Sequence, residues 1–435
     1  MRKAIYIILF SLLLLNIAVS APQSASKSAP QTTSLPSGWD LLRKIVLIPG
    51  LSSQEAKVAD FVQAALPASF KVQRDAKHNV WFTVGEGKPH ILFVAHLDEL
   101  GFLVDKITPQ GTVLLRVRGG LLPQTCEARP FVIHTAKGLV EGVIQPKPDY
   151  YQSQTAAAAP SRQPAVVTAQ NPAPPASTTA PVPAQKPPQT AAQPFPKPAP
   201  VQAKAPAPAQ APAKPQGQAP AAEPVELYLG CSSEQEVRAL GVAEGDQVLF
   251  KKRLVDLAPD IMATRAVDDR AGCAALLAAA LCLDWTKIKT RTITFAWDVE
   301  EETGLNGAQL LAKTLKPDYV FAIDTFVSTD SPLENKRFGY AVLGQGAVLR
   351  SIDTSNVTPK TEIRKVAKIA EGRKIPIQIR NSRGGNDGSV FVADGAADIP
   401  LSWAGAYAHS FIEKIVKSDL EALTDLIAAL VEEWK

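Results

Sequence analysis

The sequence predicts an α/β fold interrupted by a small all-β domain, and three observations predict it. Ile91 to Ala95, Thr292 to Trp297 and Tyr319 to Ile323 are short, nearly continuous apolar runs of the kind that form buried strands. Helical patterns alternate with them: an Ala/Leu-rich stretch from about Ala271 to Leu283, and an amphipathic one from Ser418 to Trp434. Between residues 109 and 257 the pattern changes to short β-like pieces, 112–117, 131–134 and 247–251, separated by Gly and Pro.

In chain order, Arg2 and Lys3 precede an apolar run from Ala4 to Val19, and Ala18-Val19-Ser20 sets small residues before a cut at Ala21. The run is short for a bilayer core, which takes roughly 20 residues. Residues 1–20 therefore read as a cleaved signal peptide of a secreted or periplasmic bacterial protein, with no stable membrane span after its removal. Residues 21–37 read as a flexible leader, and folding begins near Gly38. The α/β domain takes residues 38–108 and 258–435, with the β domain, 109–257, inserted between them. Within the insertion, the stretch 146–224 holds 21 of the 36 prolines and few bulky apolar residues, so it reads as a long disordered Pro/Ala-rich loop between two strands. That stretch carries six Lys/Arg against Asp149 and Glu223, a surplus equal to the +4 of all 435 residues. The rest of the chain is electrically balanced, which argues against a nucleic-acid partner.

Asp268-Asp269-Arg270 opens the Ala/Leu-rich helix with carboxylates where orphan amides and the helix dipole favour an anion. Ser418, with Glu421 three residues on, reads as a capping box starting the last helix. Cys273 and Cys282, nine residues apart on one helix, lie roughly 13 Å apart and cannot bridge. A bond between Cys126 and Cys231 stays open beside ordinary core roles for all four cysteines, and no disulfide framework is expected.

All three buried strands end in potential ligands: His96 after the first, Glu300-Glu301-Glu302 after the second and Asp324 after the third. In α/β sheets, ligands gather outside the carboxyl ends of the strands, so these residues are expected to converge although far apart in sequence. His96 alone is weak evidence, since a histidine at a strand end is more often structural. Asp98, two residues on, would receive its second ring nitrogen and make it a good metal ligand. Adjacent carboxylates at Glu301 and Glu302 repel and lose hydration at a buried strand end unless a cation stabilises them; the plainer alternative is a solvated acidic turn.

The ordered motifs Ala95-His96-Leu97-Asp98-Glu99, Val267-Asp268-Asp269-Arg270-Ala271-Gly272-Cys273, Glu301-Glu302-Thr303-Gly304, Ile323-Asp324, Gly384-Gly385-Asn386-Asp387 and Tyr407-Ala408-His409-Ser410 closely resemble one family. It is the family of metallo-aminopeptidases that includes glutamyl aminopeptidase, the tetrahedral aminopeptidases and the so-called cellulase M. The resemblance spans about 41–148 and 225–431. It implies a zinc-aminopeptidase-like mixed sheet flanked by helices, peptide substrates, and assembly into homo-oligomers through the inserted β domain. It also implies a site for two divalent ions. Asp268 would bridge them, with His96 and Asp324 on one and Glu302 and His409 on the other. Glu301 would bind neither and act as general base on the metal-bridging water, with Asp98 orienting His96. The family uses zinc or cobalt, and nitrogen and oxygen donors also suit manganese. For Asp387, substrate positioning and a structural turn role stand equally open. His78, His90 and His134 have no partner pattern and read as loop or surface residues.

Two departures stand out. The family usually shows Pro-x-Arg-Tyr before the last ligand, where this chain has Ala404-Gly405-Ala406-Tyr407 and so lacks a basic side chain at Ala406. The Pro/Ala tract replaces a short connection. A non-catalytic scaffold keeping a structural metal site is disfavoured because all five ligands and the base are present. A glycosidase is disfavoured because those enzymes use a carboxylate pair without imidazole ligands. No basic side chain can be assigned to an acidic substrate group, so residue specificity is not read from the sequence.

Overall fold

The structure, a computed structural model, describes residues 35–121, 125–146, 225–328 and 340–435. The export signal, the leader up to residue 34 and the tract from residue 147 to 224 lie outside the described residues.

The first helix, Gly38–Ile45, starts where Ser37 caps it: the Ser37 hydroxyl accepts the Asp40 N–H, and the Asp40 carboxylate accepts the Ser37 N–H, both at 3.2 Å. The chain then builds a mixed sheet. Its centre is the strand His90–His96, flanked in parallel by Thr292–Asp298 and Tyr319–Ile323. Outward from these, Val80–Val84 pairs antiparallel on one side. On the other side stand the short strand Leu401–Ser402, then Ala347–Ile352 and Ile377–Asn381.

Side chains alternate across this sheet with period two, and both faces are buried. Ile91, Phe93 and Ala95 join Phe295 and Phe321 in the larger core, under the helices Gly38–Ile45, Val267–Cys282 and Lys417–Glu433. Leu92, Val94 and Ala296 face the other way, against Leu311 and Phe391 of the helices Asn306–Thr314 and Ser389–Val392. The helix Val267–Cys282 is sandwiched so tightly that a Cβ on Gly272 would meet Ile323 Cγ2 at 2.6 Å and Asp269 Oδ1 at 2.3 Å. That is why the sequence there is Ala, Gly and Leu.

Residues 101 to 250 add a second body, a closed six-stranded barrel. Its strands run in the order Gly101–Ile107, Val113–Arg118, Val225–Tyr228, Gly138–Ile144, Pro130–Thr135 and Gln247–Phe250 around a core of Phe102, Phe131, Ile133, Leu227, Val248 and Phe250. The barrel takes in Gly101–Ile107, ahead of the boundary at 109 suggested by the sequence: that strand's alternation of buried and open positions is a barrel pattern, directly after the fully buried strand of the sheet. Gly138–Ile144 and Val225–Tyr228, the strands on either side of residues 147–224, are antiparallel neighbours with Val143 opposite Tyr228. A small sheet of Val255–Ala258, Ile261–Thr264 and Glu413–Val416 connects the two bodies.

One expected feature is not formed. The last helix is Lys417–Glu433, its N-cap is Val416, and no side chain caps it. The strand Glu413–Val416 runs straight into the helix, so Ser418 sits inside the first turn instead of before it, and Glu421 pairs with Lys417 at 3.6 Å. The four cysteines are free; Cys126 is buried and Cys231 half-buried. No helix among the described residues is long and apolar enough to cross a membrane.

Candidate metal centre

Register brings the strand ends together. Asp298 lies opposite His96 and Ile323 opposite Ala95, so the residues that follow, Glu301, Glu302 and Asp324, emerge beside His96 at one edge of the sheet. Asp268 arrives from the start of the helix Val267–Cys282, where Asp268 and Asp269 are not yet helical. Asp269 ties that start to the strand end by accepting the N–H groups of His96 and Gly272, both at 3.2 Å. Glu413 fixes Asp268 from the other side, accepting its N–H at 3.0 Å while pairing with Arg265. His409 comes from the loop after Ala404–Gly405 and holds a left-handed backbone, φ 62°, as does Tyr407 at 67°, a conformation that costs energy for residues other than glycine.

The two imidazoles face different oxygens of Asp268: His96 Nε2 lies 3.5 Å from Oδ1, and His409 Nε2 lies 3.7 Å from Oδ2 and 3.7 Å from Glu302 Oε2. Donor atoms within 4.8 Å of one another form the groups His96–Asp268–Asp324, Asp268–Glu302–His409 and His96–Glu301–Glu302. The first two share only Asp268.

Asp98 does more than face His96 Nδ1, from which its Oδ1 is 3.2 Å. Its two oxygens also accept the N–H groups of Glu301, at 3.0 Å, and Glu302, at 3.2 Å, and Oδ2 accepts the Ser52 hydroxyl at 2.6 Å. One buried carboxylate thus sets the imidazole and both glutamates together. Arg350, also buried, donates to Asp324 Oδ2 at 2.9 Å, to the Gly385 carbonyl at 2.8 Å and to Ser402 Oγ at 2.8 Å. His409 Nδ1 lies 3.2 Å from the Gly120 carbonyl, on the barrel loop after Val113–Arg118.

The electrostatics are those of a site short of positive charge. Burial, compounded by neighbouring carboxylates, pushes Glu301 and Glu302 well above the ordinary carboxylate range. Burial alone would raise Asp268 too, but the His96 imidazole beside it holds its carboxyl low. His96 is raised well above its usual value by Asp268 and Asp98 in spite of its burial. Asp268 Oδ1 is buried with no hydrogen-bond donor. Crowded carboxylates with an orphaned oxygen, and imidazoles aimed at both sides of one of them, fit a pair of divalent cations.

These residues line a cavity of about 540 Å³ together with Gly120, Thr325, Val327, Ala408 and the stretch from Ser382 to Gly385. With this geometry in view, sequence relationships become informative. A sequence model of the M42 glutamyl aminopeptidase family matches residues 79–167 and 205–426. The chain belongs to the M42 family. It is a metal-dependent aminopeptidase of that family, and the stretch passed over by the match, 168–204, falls inside the Pro/Ala-rich tract. The lysyl aminopeptidase of Pyrococcus furiosus is 25% identical over 91% of this chain and 97% of its own. The glutamyl aminopeptidase of Lactococcus lactis subsp. cremoris is 23% identical over 86% and 89%. Among solved structures, the Pyrococcus horikoshii TET1 peptidase, described as assembling into a tetrahedron or a large octahedral shell, shares 30% identity over 91% of this chain and 99% of its own, with a TM-score of 0.68.

Within this M42 chain, His96, Asp98, Asp268, Glu301, Glu302, Asp324 and His409 meet in one site. Asp387 is not among the residues lining the cavity. It is buried with Oδ1 unpartnered and pushed well up in pKa, first by burial and then by the carboxyl of Asp298. The turn presents Gly384 and Gly385 to the cavity and folds Asn386 and Asp387 inward, with Asn386 Nδ2 donating to Asp353 at 2.7 Å. Ala406 is buried and exchanges both backbone hydrogen bonds with Lys414. Gly120, Arg350 and Arg383 were not singled out from the sequence, since each acts without a motif of its own.

Proposed function

We propose that the chain is an exported two-metal aminopeptidase that releases N-terminal residues from peptides, with Glu301 as general base. The observation that carries this reading is the pair of donor groups sharing Asp268 alone, one oxygen toward each imidazole. His96 and Asp324 would hold one ion, Glu302 and His409 the other, and Asp268 both; zinc or cobalt is expected, with manganese also suited to these donors. When bound, the ions lower the pKa of water and polarise the scissile carbonyl. Glu301, placed among the ligands but outside both groups that contain Asp268, takes the proton from the attacking water at its carboxylate and delivers it to the departing amine. Asp98 keeps that carboxylate on station through the Glu301 N–H.

Export rests on the basic, apolar and small-residue pattern of residues 1–20. The barrel is read as the inserted β domain, with the Pro/Ala tract as a loop between two of its strands and a homo-oligomer built through it. The assembly described for the TET1 relative supports this.

Glu301→Gln tests the division of labour. The variant should bind the same quantity of metal by elemental analysis and lose turnover of aminoacyl p-nitroanilides by at least about a hundredfold. Loss of metal with retained activity would reverse the roles of Glu301 and Glu302.

A further inference from the structure

The wall of the cavity opposite the acidic cluster has a character of its own. Ser382, Arg383, Gly384 and Gly385 line it. Arg383 is exposed, and is the one arginine or lysine in the lining. Its loop is held firmly. Arg350 binds the Gly385 carbonyl with one arm and Asp324 with the other, Thr354 N–H donates to the Gly384 carbonyl at 3.2 Å, and Gly384 N–H to Ser382 Oγ at 3.1 Å. Arg383 is therefore fixed relative to a residue of the metal cluster.

The glycines beside it are not required by the fold. Neither has a left-handed φ, and a Cβ on Gly384 or Gly385 would meet no protein atom closer than 3.7 Å. Side chains are absent where the protein has room for them, on a surface facing the cavity, which suits close approach of a ligand backbone.

Charge gives the strip its sign. Two divalent cations would offset the four carboxylates of the cluster, Asp268, Glu301, Glu302 and Asp324, leaving the guanidinium of Arg383 as the surplus charge of the lining. A planar guanidinium at the mouth of a peptide cavity matches a carboxylate in geometry as well as sign.

We propose that Arg383, with the bare backbone of Gly384 and Gly385, forms a subsite for a carboxylate of the substrate. That carboxylate is either the side chain of an acidic N-terminal residue or the free C-terminus of a short peptide. The proposal rests on the aminopeptidase reading above and adds the substrate class. The relatives cannot supply it, since two with nearly equal identity are named for lysyl and glutamyl substrates of opposite charge.

The test uses the full chain loaded with zinc or cobalt and two isosteric substrate pairs, Glu against Gln p-nitroanilide and Leu-Gly against Leu-Gly amide. The wild type should favour the carboxylate member of at least one pair, mainly through KM. Arg383→Gln should shrink that preference by about tenfold or more, and Arg383→Lys should keep part of it. Collapse in the Glu/Gln pair assigns the N-terminal side chain, and collapse in the Leu-Gly pair assigns the C-terminus. Turnover with no change in either ratio, or an equal loss on all four substrates, overturns the subsite and leaves the aminopeptidase reading standing. If the loaded wild type turns over none of the four, the aminopeptidase reading fails and the subsite falls with it.

Discussion

At the scale of single residues, Asp98 stands out because one carboxylate serves three clients: the His96 ring and the N–H groups of Glu301 and Glu302. An amide in its place can accept at one atom only. Asp98→Asn should weaken metal binding by about 10–100-fold, read by competition against a chelator, with the fold intact by circular dichroism. A second residue bears on stability instead. Asp398 is buried with both carboxyl oxygens unpartnered, and its pKa is pushed up to about 8 by burial and then by Asp353. The folded state thus favours the protonated form more than the unfolded chain does. Its contribution to stability is present in full below the ordinary carboxyl range and is lost as pH rises through about 8. Urea unfolding of Asp398→Asn should show a flatter fall in stability between pH 5 and 8.5 than the parent.

At the scale of elements, the loop after the barrel strand Val113–Arg118 is the point where the barrel touches the metal cluster. Gly120 has no left-handed φ, but a Cβ there would lie 3.0 Å from His409 Nδ1. Gly120→Ala should displace the imidazole by a few tenths of an ångström and lower kcat/KM by roughly tenfold, with little change in melting temperature. The strands and helices that carry the site were largely legible. Ile91 to Ala95 is apolar throughout because both faces of the sheet are covered, and polarity resumes at His96 because the strand ends there. The capping box was misread because a strand feeds the last helix directly, which a local spacing rule cannot see. Asp387 was read toward the substrate because its motif is, yet the turn sends the glycines to the cavity and the aspartate beneath them. Arg350 and Arg383 are single residues on edge elements; only the tertiary arrangement gives them partners.

For the molecule as a whole, the strands on either side of residues 147–224 are hydrogen-bonded neighbours, so the barrel closes without needing anything from the chain between them. Excising residues 151–222 should leave the melting temperature within a few degrees of the parent and turnover within about twofold, measured by calorimetry and p-nitroanilide hydrolysis; an unfolded product would show that the excised residues belong to the core. Loop-closure entropy changes only slowly with length, which is why so large a deletion is expected to be mild. The alignment of Asp298 with His96 and of Ile323 with Ala95 has a consequence for when the protein becomes competent. Sliding either outer strand by one position would carry its terminal donor about 3.3 Å along the strand and reverse the face it points to. A half-zipped intermediate therefore offers cations no chelating pocket. A polypeptide threaded through a bilayer unfolded would gather its ions only on the far side, drawing on whatever supply that compartment holds.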